Sequence, residues 1–527
     1  MSAVRSWSAA AAVGLLALAL RLKDLGTPAS FSFDETYYAK DAWSMLNHGW
    51  SRRYVDDANE LILHGITTGT GPDGVWTDTP TMVVHPEVGK WMIAWGEWAF
   101  GMTPFGWRIS AAITGALMVV VMVRLARRLT GSDWFGVFAG LLLCFDGLHL
   151  VLSRLALLDI FAAFWLLCGV HCVVADRQRT RARLAVRVAA RELDTPWRMG
   201  PLAGEWFRPW LLLGGVAFGL AVGTKWSALV PLAGFGLLVW AWDSGAQRAI
   251  GVRWAIWKSA VVGGVPAFVQ LVGVAFVVYV ASWGGWLAHA EKYEDAYSAT
   301  QYATFQDREP WPTADLPPAE GVERLARSLR SLAYYHRDVY TFHAHFLDDS
   351  EHTYQSHPAG WLILERPVGV EVHLDIQPGE QGCSAAAEST CLRQVLLIGT
   401  PVLWWVGVGA LLFAVVWWAA RRDWRFAVPV VGLATTWLPW FGYDDRPIFY
   451  FYAITILPFT VIALTLAAGV LIGPARGPSL RRTAGTVAVG TFLVLVVINF
   501  AWFWPIWTNG LLTHSQWLER IWFRGWI

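Results

Sequence analysis

Residues 7–22 read WSAAAAVGLLALALRL and run without a break into residues 23–38, KDLGTPASFSFDETYY. The first stretch is apolar enough to cross lipid, which takes about twenty helical residues, or somewhat fewer when the ends snorkel. The second sets two adjacent carboxylates, Asp34 and Glu35, at the membrane surface immediately beyond that helix. This join decides the fold class: an all-α polytopic membrane protein whose chemistry sits at a bilayer boundary.

The rest of the composition agrees. Of 527 residues, 55% are hydrophobic and 15% charged, against roughly 25% charged in a soluble domain. The 35 Trp residues suit a chain with many headgroup boundaries, where the ring stays apolar and its N–H stays wet. A net charge of +1 gives no reason to expect nucleic acid as a partner.

Apolar runs at 7–22, 106–125, 134–151, 155–174, 209–224, 227–242, 257–282, 394–420, 425–441, 447–472 and 484–508 predict about eleven membrane-spanning helices. The first run lacks a convincing signal-peptide cleavage site and is read as a span. Arg124, Arg127 and Arg128, then Arg248 and Arg253, then Arg421, Arg422 and Arg425, then Arg476, Arg481 and Arg482 fall on one side if the N-terminus is cytoplasmic. The linker 176–208, with eight arginines, joins them there, as the positive-inside rule requires. Two long segments, about 23–105 and 283–393, and a tail from about 509 are then extracytoplasmic. Three regions follow: 1–282 with the first long loop, the second loop at 283–393, and the C-terminal spans with the tail at 394–527.

Within the loops, residues 35–49 and 87–99 each gather apolar side chains on one helical face and read as interfacial helices. Residues 319–346 read as a helix and 360–376 as a hairpin or strand pair. Cys383 and Cys391 stand in the second loop, outside the cytoplasm, where a disulfide between them can persist; the sequence leaves the pairing open.

Five clusters carry chemistry. Ser32 and Glu35 have capping-box spacing, which gives both a structural task and leaves Asp34 as a candidate general base. His85, Pro86 and Lys90 form a second group, followed by Arg108 at the mouth of the second span. Arg154 and Asp159 read as an ion pair between two spans. Lys225 lies between two apolar runs, and Arg446 opens another span. Arg108, Lys225 and Arg446 come from separate helices, yet the topology gathers them on one side, as a lipid-phosphate site would require. His343, His345, His352 and His357 raise a metal question, but spacing of two on a predicted helix does not converge ligands, so no metal and no cofactor is expected.

These motifs together resemble the protein O-mannosyltransferases, GT-C glycosyltransferases that use a polyprenyl-phosphate-mannose donor. The likeness runs through Arg21, Phe33-Asp34-Glu35, His85-Pro86 to Lys90, Trp107-Arg108, Arg154 to Asp159, Lys225 and Arg446, with Ser356-x-Pro358-x-x-Trp361 and Gly399-x-Pro401 adding to it. Glu87 and Val88 depart from the usual pattern, and the second loop is too short for the β-trefoil domain of eukaryotic members, which suggests a bacterial form. The resemblance implies a plasma-membrane enzyme that moves mannose onto Ser or Thr of a protein acceptor, with export machinery as a candidate neighbour. It implies Asp34 as base with Glu35 beside it, and Arg108, Lys225, Arg446, His85 and Lys90 around the donor. Arg21, Arg154 and Asp159 would support them. Two other classes stay open: a GT-C transferase acting on lipid A or a cell-wall glycan, and a secondary transporter, although the half-repeats and broken midplane helices of transporters are not evident.

Overall fold

The computed structural model describes residues 3–71, 74–190, 199–200, 206–348, 350–474, 477 and 479–527. Arg191, Arg198 and Arg476 of the basic loops lie outside the described residues.

The described chain opens with helix α1 (Ala3–Leu22), followed in the first long loop by α2 (Glu35–His48), the antiparallel strands β1 (Arg52–Tyr54) and β2 (Trp76–Pro80), and α3 (Val88–Phe100). Next come α4 (Pro104–Thr130), α5 (Asp133–Cys144), α6 (Gly147–Leu152), α7 (Leu158–Ala189), α8 (Pro209–Val222), α9 (Leu229–Ala249) and α10 (Ala255–Ser282). The second long loop carries α11 (Gly321–Thr341), and the bundle closes with α12 (Pro401–Arg421), α13 (Ala427–Trp437), α14 (Leu457–Ile472) and α15 (Leu480–Trp507). Among the described residues seven helices are long and apolar enough to cross a membrane, and four shorter apolar helices accompany them. Each expected span falls on one of these helices.

Three expected spans change shape. The run at 134–151 breaks at Phe145-Asp146, where the Asp146 carboxylate accepts the His149 amide at 2.9 Å and so caps α6. The same carboxylate accepts from the Thr400 amide (3.1 Å) and Trp404 Nε1 (2.8 Å), which ties the break to the start of α12. Gly147 is required there, because a Cβ would meet the Trp507 ring at 2.1 Å. The run at 394–420 begins as a strand and turns helical only after Thr400-Pro401, while 447–472 starts with a 3₁₀ segment, Tyr450–Thr455, before α14.

The expected hairpin at 360–376 is also redrawn. Only Val368–Ile376 is a strand (β3), and its partner is Cys391–Leu397 (β4), which pairs in turn with Leu511–Thr513 (β5) in the C-terminal tail. Cys383 and Cys391 are joined by a disulfide beside this sheet, with Cα atoms 5.7 Å apart. The two long loops are packed together by buried aromatic rings, including Trp50, Trp283, Trp286 and Tyr335. The Tyr335 hydroxyl accepts the Val83 amide at 2.6 Å, which seats the segment leading to His85. At the other end of the bundle, Arg208 bridges Asp176 of α7 and Asp243 of α9, all three buried.

Candidate functional site

Asp34 is held in place from both sides. Phe33 adopts a left-handed backbone (φ 53°), a conformation that costs a bulky residue about 1–3 kcal/mol. Its ring is wedged edge-on against Phe449 (6.0 Å) and Phe451 (5.8 Å), which over-determines the turn. Asp34 then stands at the N-cap of α2 without making a side-chain cap bond, so its carboxylate is not consumed by capping. The Tyr38 hydroxyl donates to Oδ2 at 3.3 Å. Burial pushes this carboxyl up to about 6, partly countered by the ammonium of Lys225 and reinforced by Asp159.

Glu35 is fully buried and fully committed. Arg108 donates to it through Nε (2.8 Å) and Nη2 (2.6 Å), and the Ala156 amide donates at 2.8 Å. The Ser32 amide donates to Glu35 Oε2 at 2.9 Å, which is half of the expected capping box. The other half is missing because the Ser32 hydroxyl turns to Glu371, at 2.9 Å.

Lys225 and Arg446 line one cavity of about 350 Å³, together with His85, Asp159, His343 and Tyr452. Lys225 Nζ donates to both Asp159 oxygens, at 2.9 and 2.8 Å, and lies 5.1 Å from the Tyr452 ring centre. An ammonium has three donors, so one remains for a ligand. Arg446 Nη1 donates to His343 Nδ1 at 3.0 Å, while its Nε is buried and has no hydrogen-bond partner among the described residues. His343 Nε2 faces the Val84 carbonyl at 3.3 Å, which assigns the proton to Nε2 and leaves Nδ1 as acceptor. Burial and the nearby Arg446 charge bring His343 down to about 4, so the ring is neutral near pH 7. His85 stacks on it at 5.7 Å and is likewise kept well below the usual histidine range by burial and the surrounding cations. A partly buried carboxylate near Lys225, with Arg446 on the lining of the same cavity as that lysine, is suited to removing a proton while a phosphate is held.

A family model described as dolichyl-phosphate-mannose-protein mannosyltransferase matches residues 11–283. A second, the C-terminal four TMM region of protein-O-mannosyltransferase, matches residues 328–526. The chain belongs to the dolichyl-phosphate-mannose-protein mannosyltransferase family. It is 34% identical over 534 residues to the polyprenol-phosphate-mannose–protein mannosyltransferase of Mycobacterium tuberculosis H37Rv, covering 99% of this chain and 92% of that one. The protein of the same description from Corynebacterium glutamicum is 33% identical over 503 residues, covering 95% of this chain and 88% of its own. In fold, the Saccharomyces cerevisiae protein O-mannosyltransferase Pmt1-Pmt2 complex bound to the sugar donor superposes with a TM-score of 0.70 at 15% identity, over 100% of this chain and 93% of that one. The fold is that of the GT-C glycosyltransferases.

In this mannosyltransferase-family chain, His85, Asp159, Lys225 and Arg446 line the cavity and Asp34 stands near enough to feel the charges of Lys225 and Asp159, whereas five expected site residues, Glu35 and the four that follow, do not line it. Arg108 is 0% exposed, spends its donors on Glu35 and the Pro28 and Ser30 carbonyls, and is not part of the cavity lining. Lys90 is paired with Asp41 at 2.7 Å and is likewise buried. Arg154 does not pair with Asp159; it caps α1 by donating to the Arg21 (2.9 Å) and Asp24 (3.1 Å) carbonyls, and Asp159 takes Lys225 instead. Among the described residues Arg21 pairs with no carboxylate but with Ser153 Oγ (2.9 Å) and His149 Nδ1 (2.6 Å).

His343, Tyr38 and Tyr452 are the site residues that sequence reasoning passed over. In the sequence His343 stands only among the histidines that raise a metal question. Its proximity to Arg446 joins positions 103 residues apart, for which local spacing holds no signal.

Proposed function

We propose that the chain transfers mannose from polyprenyl-phosphate mannose to a Ser or Thr hydroxyl of a protein, at the membrane face away from the cytoplasm, with inversion at the anomeric carbon. The observation that carries this reading is a partly buried carboxylate, Asp34, held near pKa 6 next to a cavity lined by Lys225 and Arg446. The names of the relatives supply the donor class and the protein acceptor.

A hydroxyl is a weak nucleophile at neutral pH. Asp34 takes its proton as the oxygen bonds to the sugar C1, and the bond from C1 to the phosphate oxygen breaks on the opposite face. The sugar passes through an oxocarbenium-like state and the phosphate leaves with the bonding pair. The free donor of Lys225 and the Nε and Nη2 of Arg446 stabilise that charge, each worth about 1.5–3 kcal/mol as a charge-assisted contact. Asp159 and His343 aim the two cations, and Glu35 with Arg108 fixes the loop that bears the base. Leu229, Val230, Pro231 and Pro439 line the apolar side of the same cavity, which suits the start of a polyprenyl chain.

Protein reconstituted in lipid with radiolabelled polyprenyl-phosphate mannose should label a Thr-rich peptide. Label on lipid A or a cell-wall glycan instead, or no transfer with donor bound, would overturn the reading.

A further inference from the structure

The sheet order β3-β4-β5 gives β3 a partner on one side and a free edge on the other. Among the described residues, no main-chain hydrogen bond from another segment reaches that edge. Burial changes along the strand. Val368 and Val370 are buried, whereas Val372 is 47% and Leu374 61% exposed. Polar Glu371, His373 and Asp375 alternate with them, and the register shifts near Gly369 and after His373 keep the regular part of the edge short. What remains open is a short, half-apolar edge.

This edge is fastened to the base-bearing loop. Glu371 accepts from the Ser30 hydroxyl (3.2 Å) and the Ser32 hydroxyl (2.9 Å), and His373 Nε2 lies 3.1 Å from Glu371 Oε1. Ser32 precedes Asp34 by two residues, so their Cα atoms lie within about 7.6 Å of each other. The Cys383–Cys391 disulfide, next to the Ile376↔Cys391 pair, pins the far end of the strand.

We propose that β3 is the acceptor-docking edge: an extended stretch of the acceptor polypeptide adds beside Val372–Leu374 as a further strand and delivers a Ser or Thr hydroxyl to Asp34. The proposal rests on the protein-acceptor reading above. Strand addition draws affinity from main-chain bonds and reads only alternate side chains, which fits an acceptor defined by one hydroxyl in an extended chain. Val372 and Leu374 then contact every second residue on one face of that chain.

The test uses the full-length protein in lipid, labelled donor, and three versions of one Thr-containing peptide: unmodified, and N-methylated at alternate residues in either register. An edge strand bonds through alternate residues only, so one register should raise the acceptor KM roughly tenfold while the other stays within about twofold of the parent. The donor KM should not change. Equal behaviour of the two registers, whether both active or both dead, overturns the docking. A photo-crosslinking residue at position 372 should capture the unmodified peptide and not the blocked register; failure to capture it also overturns the proposal. If the unmodified peptide receives no mannose at all, the protein-acceptor reading falls first, and this edge falls with it.

Discussion

Asp34 is free for chemistry because its neighbours have other work: Glu35 is taken by Arg108, and Ser32 by Glu371. The carboxyl rises from its ordinary 3.8 to about 6 in the folded chain. As a base it must be ionised, so kcat/KM for transfer should fall as pH drops through about 6 and level off above about 7. A profile flat down to pH 5 would remove Asp34 from that role. The sign for stability is opposite: a raised folded pKa gives a contribution present below 3.8 and lost as pH rises through about 6. Asp34→Asn should therefore melt no lower than the parent at pH 7 while losing activity.

Arg108 makes the contrasting case. With both it and Glu35 fully buried, Arg108→Ala strands a carboxylate, at a cost of about 3–5 kcal/mol. The measurable result is a large drop in thermal midpoint and yield, and a folded variant with only weakened donor binding would contradict this placement. The sequence showed both residues as basic or acidic groups at a membrane face. It could not distinguish an arginine that meets a phosphate from one that meets a carboxylate, since both use the same donors.

At the scale of elements, hydropathy located the apolar helices but not their interruptions. Val395 to Ile398 is apolar in either conformation, and only Gly399-Thr400-Pro401 marks where strand becomes helix. The strand is chosen by partners far away, at Val368–Ile376 and Leu511–Thr513, which no local period encodes. The α5–α6 break likewise depends on Asp146 reaching Thr400 and Trp404, more than 250 residues on. Asp146→Ala removes three acceptor contacts inside the bundle, and each orphaned donor costs about 1–3 kcal/mol. Thermal unfolding in detergent should show a loss of several kcal/mol, with Asp146→Asn milder because it retains an acceptor oxygen. Equal stability of Asp146→Ala and the parent would refute the role given to this junction.

For the whole molecule, the bundle works as a frame that brings two loops, far apart in sequence, over one cavity. The composition and the ordered motifs made the GT-C fold readable, whereas the pairing of loop with loop, through Trp50, Trp283 and Tyr335, was not. Sidedness rests on the arginine distribution. Single cysteines placed at Glu309 and at Arg248 should react with an impermeant thiol reagent from outside and only after permeabilisation, respectively; the reverse pattern would put the cavity on the wrong side for an exported acceptor. The most direct test of the central claim is single-turnover transfer by Asp34→Asn with prebound polyprenyl-phosphate mannose and a Thr-rich peptide. The account predicts donor binding within about twofold of the parent and transfer slowed at least about 100-fold. Transfer at the parent rate would contradict it.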